Sequence, residues 1–235
     1  MERRLASVRE RMAAAAHRVG RRPEEITLLG VAKRKPPELI VAAVRAGVHD
    51  LAENYVQEAA AKIPAVNADL KRAKLAAPRW HFVGQLQRNK VREVVRLFDV
   101  ISSVDRVKLG TEIERRAEQE DRFLEALLQV NLSREPQKGG VDPADLPELL
   151  EASAHWSRLR IVGLMTVPAA TEDPDGSRPA FARLRALRDE LRGEPGGKHL
   201  SELSMGMTGD FEVAIEEGAT IVRVGTAIFG PRSES

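Results

Sequence analysis

Leu203-Ser-Met-Gly-Met-Thr-Gly-Asp210 and Thr220-Ile-Val-Arg-Val-Gly-Thr-Ala-Ile-Phe-Gly230 carry the pattern on which the reading of the whole chain turns. The first is a short apolar run that gives way to small residues and glycines, reaching Asp210 just before a helical pattern, Phe211–Glu217. The second is a β-branched run interrupted by Arg223 and closed by Gly225 and Thr226. A strand, a helix and a second strand in this order make parallel neighbours, because parallel strands need a crossover connection. Small residues at a strand's end also let main-chain N–H groups approach an anion, and a following helix N-terminus adds its dipole. Two such ends in succession read as a phosphate cradle beside a buried cation, which points to a phosphorylated small molecule.

The same unit repeats upstream. Apolar β-type runs lie at Ile26–Ala32, Val48–Glu53, Trp80–Val83, Val100–Ser103, Leu124–Leu132, Leu159–Val167, Leu200–Met205 and Thr220–Val224. Helical patterns separate them at Pro36–Ala46, Tyr55–Ile63, Arg88–Leu97, Arg106–Glu120, Pro143–Ser153, Pro179–Arg192 and Phe211–Glu217, and only the last strand lacks a clear successor. An amphipathic, Ala-rich helix from about Glu2 to Val19 precedes them all. The alternation predicts an α/β fold, a closed (β/α)₈ barrel with an extra N-terminal helix, as one domain over residues 1–235. An open doubly wound sheet would show a glycine-rich turn after its first strand, and Ala32-Lys-Arg-Lys-Pro36 is not one. Of two long connections, Leu70–Pro78 precedes the third strand and Ala169–Ser177 follows the sixth. The second lies on the active face of such barrels and reads either as a lid or as a plain mobile loop.

Composition narrows the functional classes. Lys+Arg number 37 against 35 Asp+Glu, interspersed, for a formal net charge of +2, and aromatics are only 4%. That balance argues against a nucleic-acid footprint and against stacking platforms for single strands. There is no cysteine, so disulfides, thiolate nucleophiles and zinc–thiolate sites are excluded, and a reducing, cytoplasmic setting is expected. No apolar run approaches a membrane span and the N-terminus is no signal peptide, so a soluble protein without membrane contact is expected.

In such a barrel the chemistry stands where strands finish. In the first strand, period-two alternation puts Leu29, Val31 and Lys33 on one face. If that face is the interior, Lys33 stands at an apolar mouth beside further cations, and both effects lower the pKa of an imine-forming amine; otherwise it is a solvated rim lysine. Asn54, after Glu53, is placed either to cap the next helix or to meet a ligand. His81, flanked by Trp80 and Phe82 on the opposite face, is either an inward residue near a ligand or a hydrogen-bonded core histidine. Ile221, Arg223 and Gly225 share a face, so Arg223 sits inside an apolar run and must be paired. Its partner is either a structural carboxylate such as Glu53 or an acceptor on a bound ligand, and Gly225-Thr226 beside it favours the ligand.

Together with these positions, Leu29-Gly-Val-Ala-Lys-Arg-Lys-Pro36, Glu53-Asn-Tyr-Val-Gln-Glu58, Trp80-His-Phe-Val-Gly-Gln-Leu-Gln-Arg-Asn-Lys90, Gly163-Leu-Met165 and the two closing blocks run in one order along nearly the full chain. In that order the sequence resembles the pyridoxal-phosphate homeostasis (YggS-like) proteins. The resemblance implies a monomeric (β/α)₈ barrel like the N-terminal domain of alanine racemase. It implies that Lys33 holds pyridoxal 5′-phosphate covalently as a Schiff base and that Ser204, Gly206, Gly225 and Thr226 surround the phosphate. Arg223 would face the pyridine nitrogen, and Asn54, His81 and Met205 would line the pocket. Ala32, Arg34, Gln85 and Arg88 depart from the usual pattern of the family without removing any of these groups.

A guanidinium stays protonated and donates, so it favours an unprotonated ring nitrogen and weakens the ring as an electron sink. Racemases with an arginine there add a second acid/base, commonly a tyrosine from elsewhere, whereas Tyr55 is the one tyrosine in this sequence. The expectation is a carrier or buffer of pyridoxal phosphate in vitamin B6 and amino-acid homeostasis, with no catalytic or metal-ligating residue and with apo-enzymes as recipients. A weak amino-acid racemase and a Schiff-base lyase acting on a sugar phosphate are the competing expectations.

Overall fold

The computed structural model describes residues 1–133 and 139–231. Eight strands, β1 (Thr27–Val31), β2 (Asp50–Glu53), β3 (Arg79–Phe82), β4 (Val100–Val104), β5 (Leu124–Gln129), β6 (Leu159–Met165), β7 (Glu202–Ser204) and β8 (Ile221–Val224), pair in chain order. All pairings are parallel, and β8 returns to β1 with Leu29 beside Arg223, so the sheet closes into a barrel. The helices α1 (Glu2–Arg18), α2 (Pro37–Arg45), α3 (Val56–Arg72), α4 (Val91–Leu97), α5 (Val107–Gln119), α6 (Leu146–Ser153), α7 (Arg178–Leu191), α8 (Phe211–Glu216) and α9 (Thr226–Phe229) complete the (β/α)₈ alternation. None of the helices among the described residues is long and apolar enough to cross a membrane.

Two apolar layers follow from strand alternation. Inside the barrel, Leu29, Ala52, Leu127, Met165 and Ile221 pack together, joined by half-buried Val31 and Val83. Outside it, the other strand face meets the inward stripes of the helices, as with Leu51, Trp80, Val222 and Val224 against Ile40, Val66 and Ile228. The extra helix α1 buries Leu5, Val8, Met12, Ala15 and Ala16 and lies along α8, where Arg11 pairs with Glu212 and stacks over the Phe211 ring. Its place beside the last strands explains why the N-terminal helix precedes the repeating pattern without belonging to it.

Two elements differ from the sequence expectation. The pattern ends α3 at Ile63, but the helix continues through Pro64 to Arg72. An interior proline costs about 3 kcal/mol, while burying Val66 and Leu70 stabilises by roughly 1.5–3 kcal/mol each, so packing prevails over local propensity. The connection before β3 is correspondingly shorter than Leu70–Pro78. The second difference is α9, a single turn after β8, which begins where Gly225 leaves the extended conformation (φ −111°, ψ −80°).

One ion pair lies within the layer between sheet and helices. Glu53, at the end of β2, is fully buried, and its Oε1 accepts from Lys62 Nζ of α3 at 2.8 Å. Burial pushes the Glu53 carboxyl up to about 7, opposed by Lys62. Because the folded-state value lies above the unfolded one near 4.5, the stability this contributes is full below pH 4.5 and lost as pH rises through 7. Urea unfolding is therefore expected to show stability falling across pH 4.5–7.5 relative to the Glu53→Gln variant; parallel pH profiles for the two proteins would contradict it.

Candidate functional site

The C-terminal mouth of the barrel begins where β1 ends. Ala32 N–H still donates to Ala52 O at 2.9 Å, and then the chain turns, with Lys35 N–H returning to Ala32 O at 3.1 Å. Arg34 occupies the left-handed region at φ 58°, an uncommon conformation for a residue with a side chain. Its N–H donates to Glu58 Oε1 at 2.6 Å, and its guanidinium lies over the Tyr55 ring at 5.8 Å. Lys35 is buried, its Nζ donating to the carbonyls of Gly230 at 3.1 Å and Pro231 at 2.5 Å. Between these anchored neighbours Lys33 is half-buried, and among the described residues nothing hydrogen-bonds its Nζ. Of the two readings of Lys33, the geometry gives an amine at the mouth whose backbone is fixed and whose head is unengaged.

Arg223 rises from β8 into the interior beside Ile221. Only 6% of it is exposed, and its guanidinium donates to Ser204 Oγ at 2.9 Å and to Thr166 O at 2.8 Å. Both acceptors are neutral. Glu53 is not its partner: it points to the outer layer and serves Lys62, because successive residues of β2 face opposite sides and Ala52 takes the inner one. Burial draws the guanidinium down to about 10, with Asp210 acting in the opposite sense, so it remains a cation at neutral pH. A buried cation held by neutral acceptors retains donor capacity for a further partner.

The ends of β7 and β8 form the other half. Gly206 sits at φ +87°, and a Cβ there would lie 2.5 Å from Ala214 Cβ and 2.9 Å from Phe211 Cα, so α8 can approach only a glycine. The turn Met207–Asp210 is closed by Asp210 Oδ1, which accepts from Met207 N–H at 2.7 Å. Asp210 Oδ2 accepts from Ser177 Oγ at 2.9 Å, which ties the Ala169–Ser177 connection to this turn around a hollow of about 200 Å³. Thr208 and Thr226 bring their hydroxyls within 3.4 Å of one another. No carbonyl among the described residues accepts from the main-chain N–H of Gly225, Thr226 or Ala227. Two hydroxyls and a run of main-chain N–H groups that no carbonyl among the described residues takes thus lie at the ends of β7 and β8, donors of the kind an anion requires.

The remaining expected residues divide. Asn54 does not cap α3, whose N-cap is Tyr55 without a side-chain bond, and its buried Oδ1 has no donor among the described residues. His81 takes the second of its two readings, as a buried interior histidine whose Nε2 is 2.9 Å from Asp50 Oδ1. Its ring turns toward the strand starts, where it lines a hollow of about 330 Å³ with Asp50, Arg79 and Glu125. Met205 is fully buried in the outer apolar layer, since Ser204 takes the inner face of β7. The structure therefore brings Lys33, Asn54, Ser204, Gly206, Arg223, Gly225 and Thr226 to one end and leaves the side chains of His81 and Met205 away from it. Sequence reading missed Thr208, although the hydroxyl two residues beyond Gly206 was a signal, and it missed Lys62 and Glu58, whose helical i, i+4 spacing puts both beneath Lys33.

The comparisons with known proteins agree with this geometry. The family described as "Alanine racemase, N-terminal domain" matches residues 4–233. The chain is 44% identical over 230 residues to a pyridoxal phosphate homeostasis protein of Aquifex aeolicus, covering 97% of each. It is 40% identical to one from Escherichia coli, covering 98% of this chain and 96% of that one. Among solved structures, PipY of Synechococcus elongatus with pyridoxal phosphate (PLP) bound superposes with a TM-score of 0.83 at 36% identity, over 97% of this chain and 99% of that one. An alanine racemase of Clostridium difficile shares the fold alone, at 12% identity and a TM-score of 0.66. By the profile that spans it and by relatives that match it end to end, the chain belongs to the alanine racemase N-terminal-domain family, and within it to the pyridoxal phosphate homeostasis proteins.

Proposed function

We propose that this protein binds pyridoxal 5′-phosphate at the C-terminal mouth of the barrel, holds it through a Schiff base on Lys33, and serves as a carrier or buffer of the cofactor. Carrying the proposal is the buried Arg223 guanidinium, whose acceptors among the described residues are Ser204 Oγ and Thr166 O, on the strand beside the one that leads into Lys33. The donor set suits this ligand at each of its polar ends. Lys33 supplies the amine for an aldehyde, and Arg223 supplies N–H donors for a ring nitrogen. Thr208, Thr226 and the free N–H groups from Gly225 onward supply donors for a phosphate, and the orphaned Asn54 Oδ1 supplies an acceptor for a ligand hydroxyl. Ser204 acts through Arg223, and Gly206 acts by letting α8 approach.

When bound, the cofactor contributes an electrophilic aldehyde and a conjugated ring. Arg223 keeps the ring nitrogen an acceptor and so restrains the ring's capacity to stabilise a carbanion, which favours holding the cofactor over turning substrate over. Tyr55, the single tyrosine, is 46% exposed and stacked under Arg34, not held over Lys33 as an acid/base. Apo-enzymes that use pyridoxal phosphate are the recipients on this reading, in a cytoplasmic pool, and the carrier acts as a monomer.

After borohydride fixation of protein mixed with pyridoxal 5′-phosphate, peptide mass spectrometry is expected to find the adduct on Lys33, and Lys33→Ala to lose the visible absorbance band with an unchanged melt. An adduct confined to other lysines would overturn the assignment. Arg223→Met is expected to leave apo-protein stability nearly unchanged, because it removes a buried cation with no carboxylate partner. The same variant should weaken cofactor binding on the order of tenfold to a hundredfold; equal dissociation rates for variant and wild type would remove Arg223 from the site. Gly225→Ala meets only Val31, at 3.4 Å and beyond, so its unfolding free energy should stay within about 0.5 kcal/mol of wild type while phosphate affinity falls. Gly206→Ala should instead lose roughly 2–4 kcal/mol through its positive φ and the clash with α8.

A further inference from the structure

A charge cluster lies directly beneath the Lys33 turn, in the layer between sheet and helices. Lys62 is 7% exposed, and its ammonium spends its three donors on three acceptors: Glu53 Oε1 at 2.8 Å, Glu58 Oε1 at 2.5 Å and the main-chain carbonyl of Ala32 at 3.0 Å. Glu58 in turn accepts from the main-chain N–H of Arg34 at 2.6 Å. The residues on either side of Lys33 are thus both held by this cluster, one through its carbonyl and one through its N–H. The cluster also holds the N–H of Arg34, whose left-handed conformation persists only when surrounding contacts fix it.

We propose that Lys62, with Glu58 and Glu53, is the positioning device for Lys33, fixing the turn so that the amine points into the mouth ready to attack a carbonyl. The inference rests on Lys33 being the cofactor amine and adds the group that aims it. Its logic is economical in charge. Glu58 faces the same ammonium as Glu53, whose carboxyl burial pushes up to about 7, and the Lys33 charge acts on Glu53 in the opposite sense. Lys62 cannot take the role of Lys33 itself, since all its donors are engaged and it is buried. Glu53 Oε2 has no partner, so the carboxylate gives one oxygen to the cluster and is held there by burial alone on its other side. A displacement of the reacting amine by about 1 Å is enough to cost on the order of a hundredfold in rate. Releasing either neighbour of Lys33 therefore slows capture of the aldehyde without touching the groups that bind phosphate or ring.

The test separates binding from capture. Pyridoxine 5′-phosphate, which has no aldehyde, reports on non-covalent affinity, and the rate at which pyridoxal 5′-phosphate becomes fixable by borohydride on Lys33 reports on positioning. Glu58→Ala and the double variant Lys62→Met/Glu53→Gln, which removes the buried charges at similar volume, are expected to bind pyridoxine 5′-phosphate within about twofold of wild type. Both are expected to capture the aldehyde at least about tenfold more slowly. Glu58→Gln keeps an acceptor for the Arg34 N–H and should recover most of the rate. Wild-type capture rates in both variants would overturn the positioning role, as would a parallel loss of pyridoxine 5′-phosphate affinity. Should one variant fail to fold by its melting curve, the other decides the matter. A wild-type protein that forms no adduct on Lys33 would instead sink the assignment of Lys33, a distinguishable result.

Discussion

A guanidinium inside a parallel β-barrel governs this molecule. Arg223 stands among Leu29, Met165 and Ile221, where an apolar side chain of similar length would pack without the cost of desolvating a charge. The fold meets its needs in part, with a serine hydroxyl from β7 and a carbonyl after β6, and offers it no carboxylate hydrogen bond among the described residues. A cation so held is an incomplete arrangement from the standpoint of stability and a prepared one from the standpoint of binding. Closure of the sheet is what makes it possible, because β1 and β8 become neighbours and put the arginine's strand beside the strand that ends in Lys33.

The two ends of the barrel divide the labour. At the strand starts, polar groups satisfy one another: Arg79 and Arg160 both reach Glu125, and His81 reaches Asp50. At the strand ends, donors are left open among the described residues, as with the main-chain N–H groups after Val224 and the amine of Lys33, while the Thr226 hydroxyl reaches only that of Thr208. Ion pairs at one end read as stability and open donors at the other as function, the distribution expected for this architecture, with the buried His81 Nδ1 the exception at the strand starts. The Lys62 cluster sits behind the open end and bridges the two roles, since its ammonium spends all three donors and yet immobilises the turn that carries Lys33.

How much of this was legible in the sequence depends on the range of the interaction. Strand and helix order, and the inward direction of Arg223, follow from period-two alternation within single strands and were readable. Met205 was readable too, since alternation from Ser204 sends it outward, but carrying its role over from relatives obscured that. The fate of His81 was not readable, because whether an interior side chain turns up or down the barrel depends on the stagger between neighbouring strands. The continuation of α3 beyond Pro64 was hidden for a related reason, as the burial of Val66 and Leu70 that outweighs the proline is a tertiary fact. The Lys62 cluster joins residues 32, 34, 53, 58 and 62 from three elements, and no local pattern announces it.

On the proposed function, Arg223 completes its hydrogen bonding on a ring nitrogen that stays unprotonated. Nitrogen-15 NMR of the protein loaded with ring-labelled pyridoxal 5′-phosphate reads that atom directly. The expected result is the chemical shift of a neutral, hydrogen-bonded pyridine at pH 7, moving on Arg223→Met. A pyridinium shift in the wild-type protein, unaffected by that substitution, would contradict it.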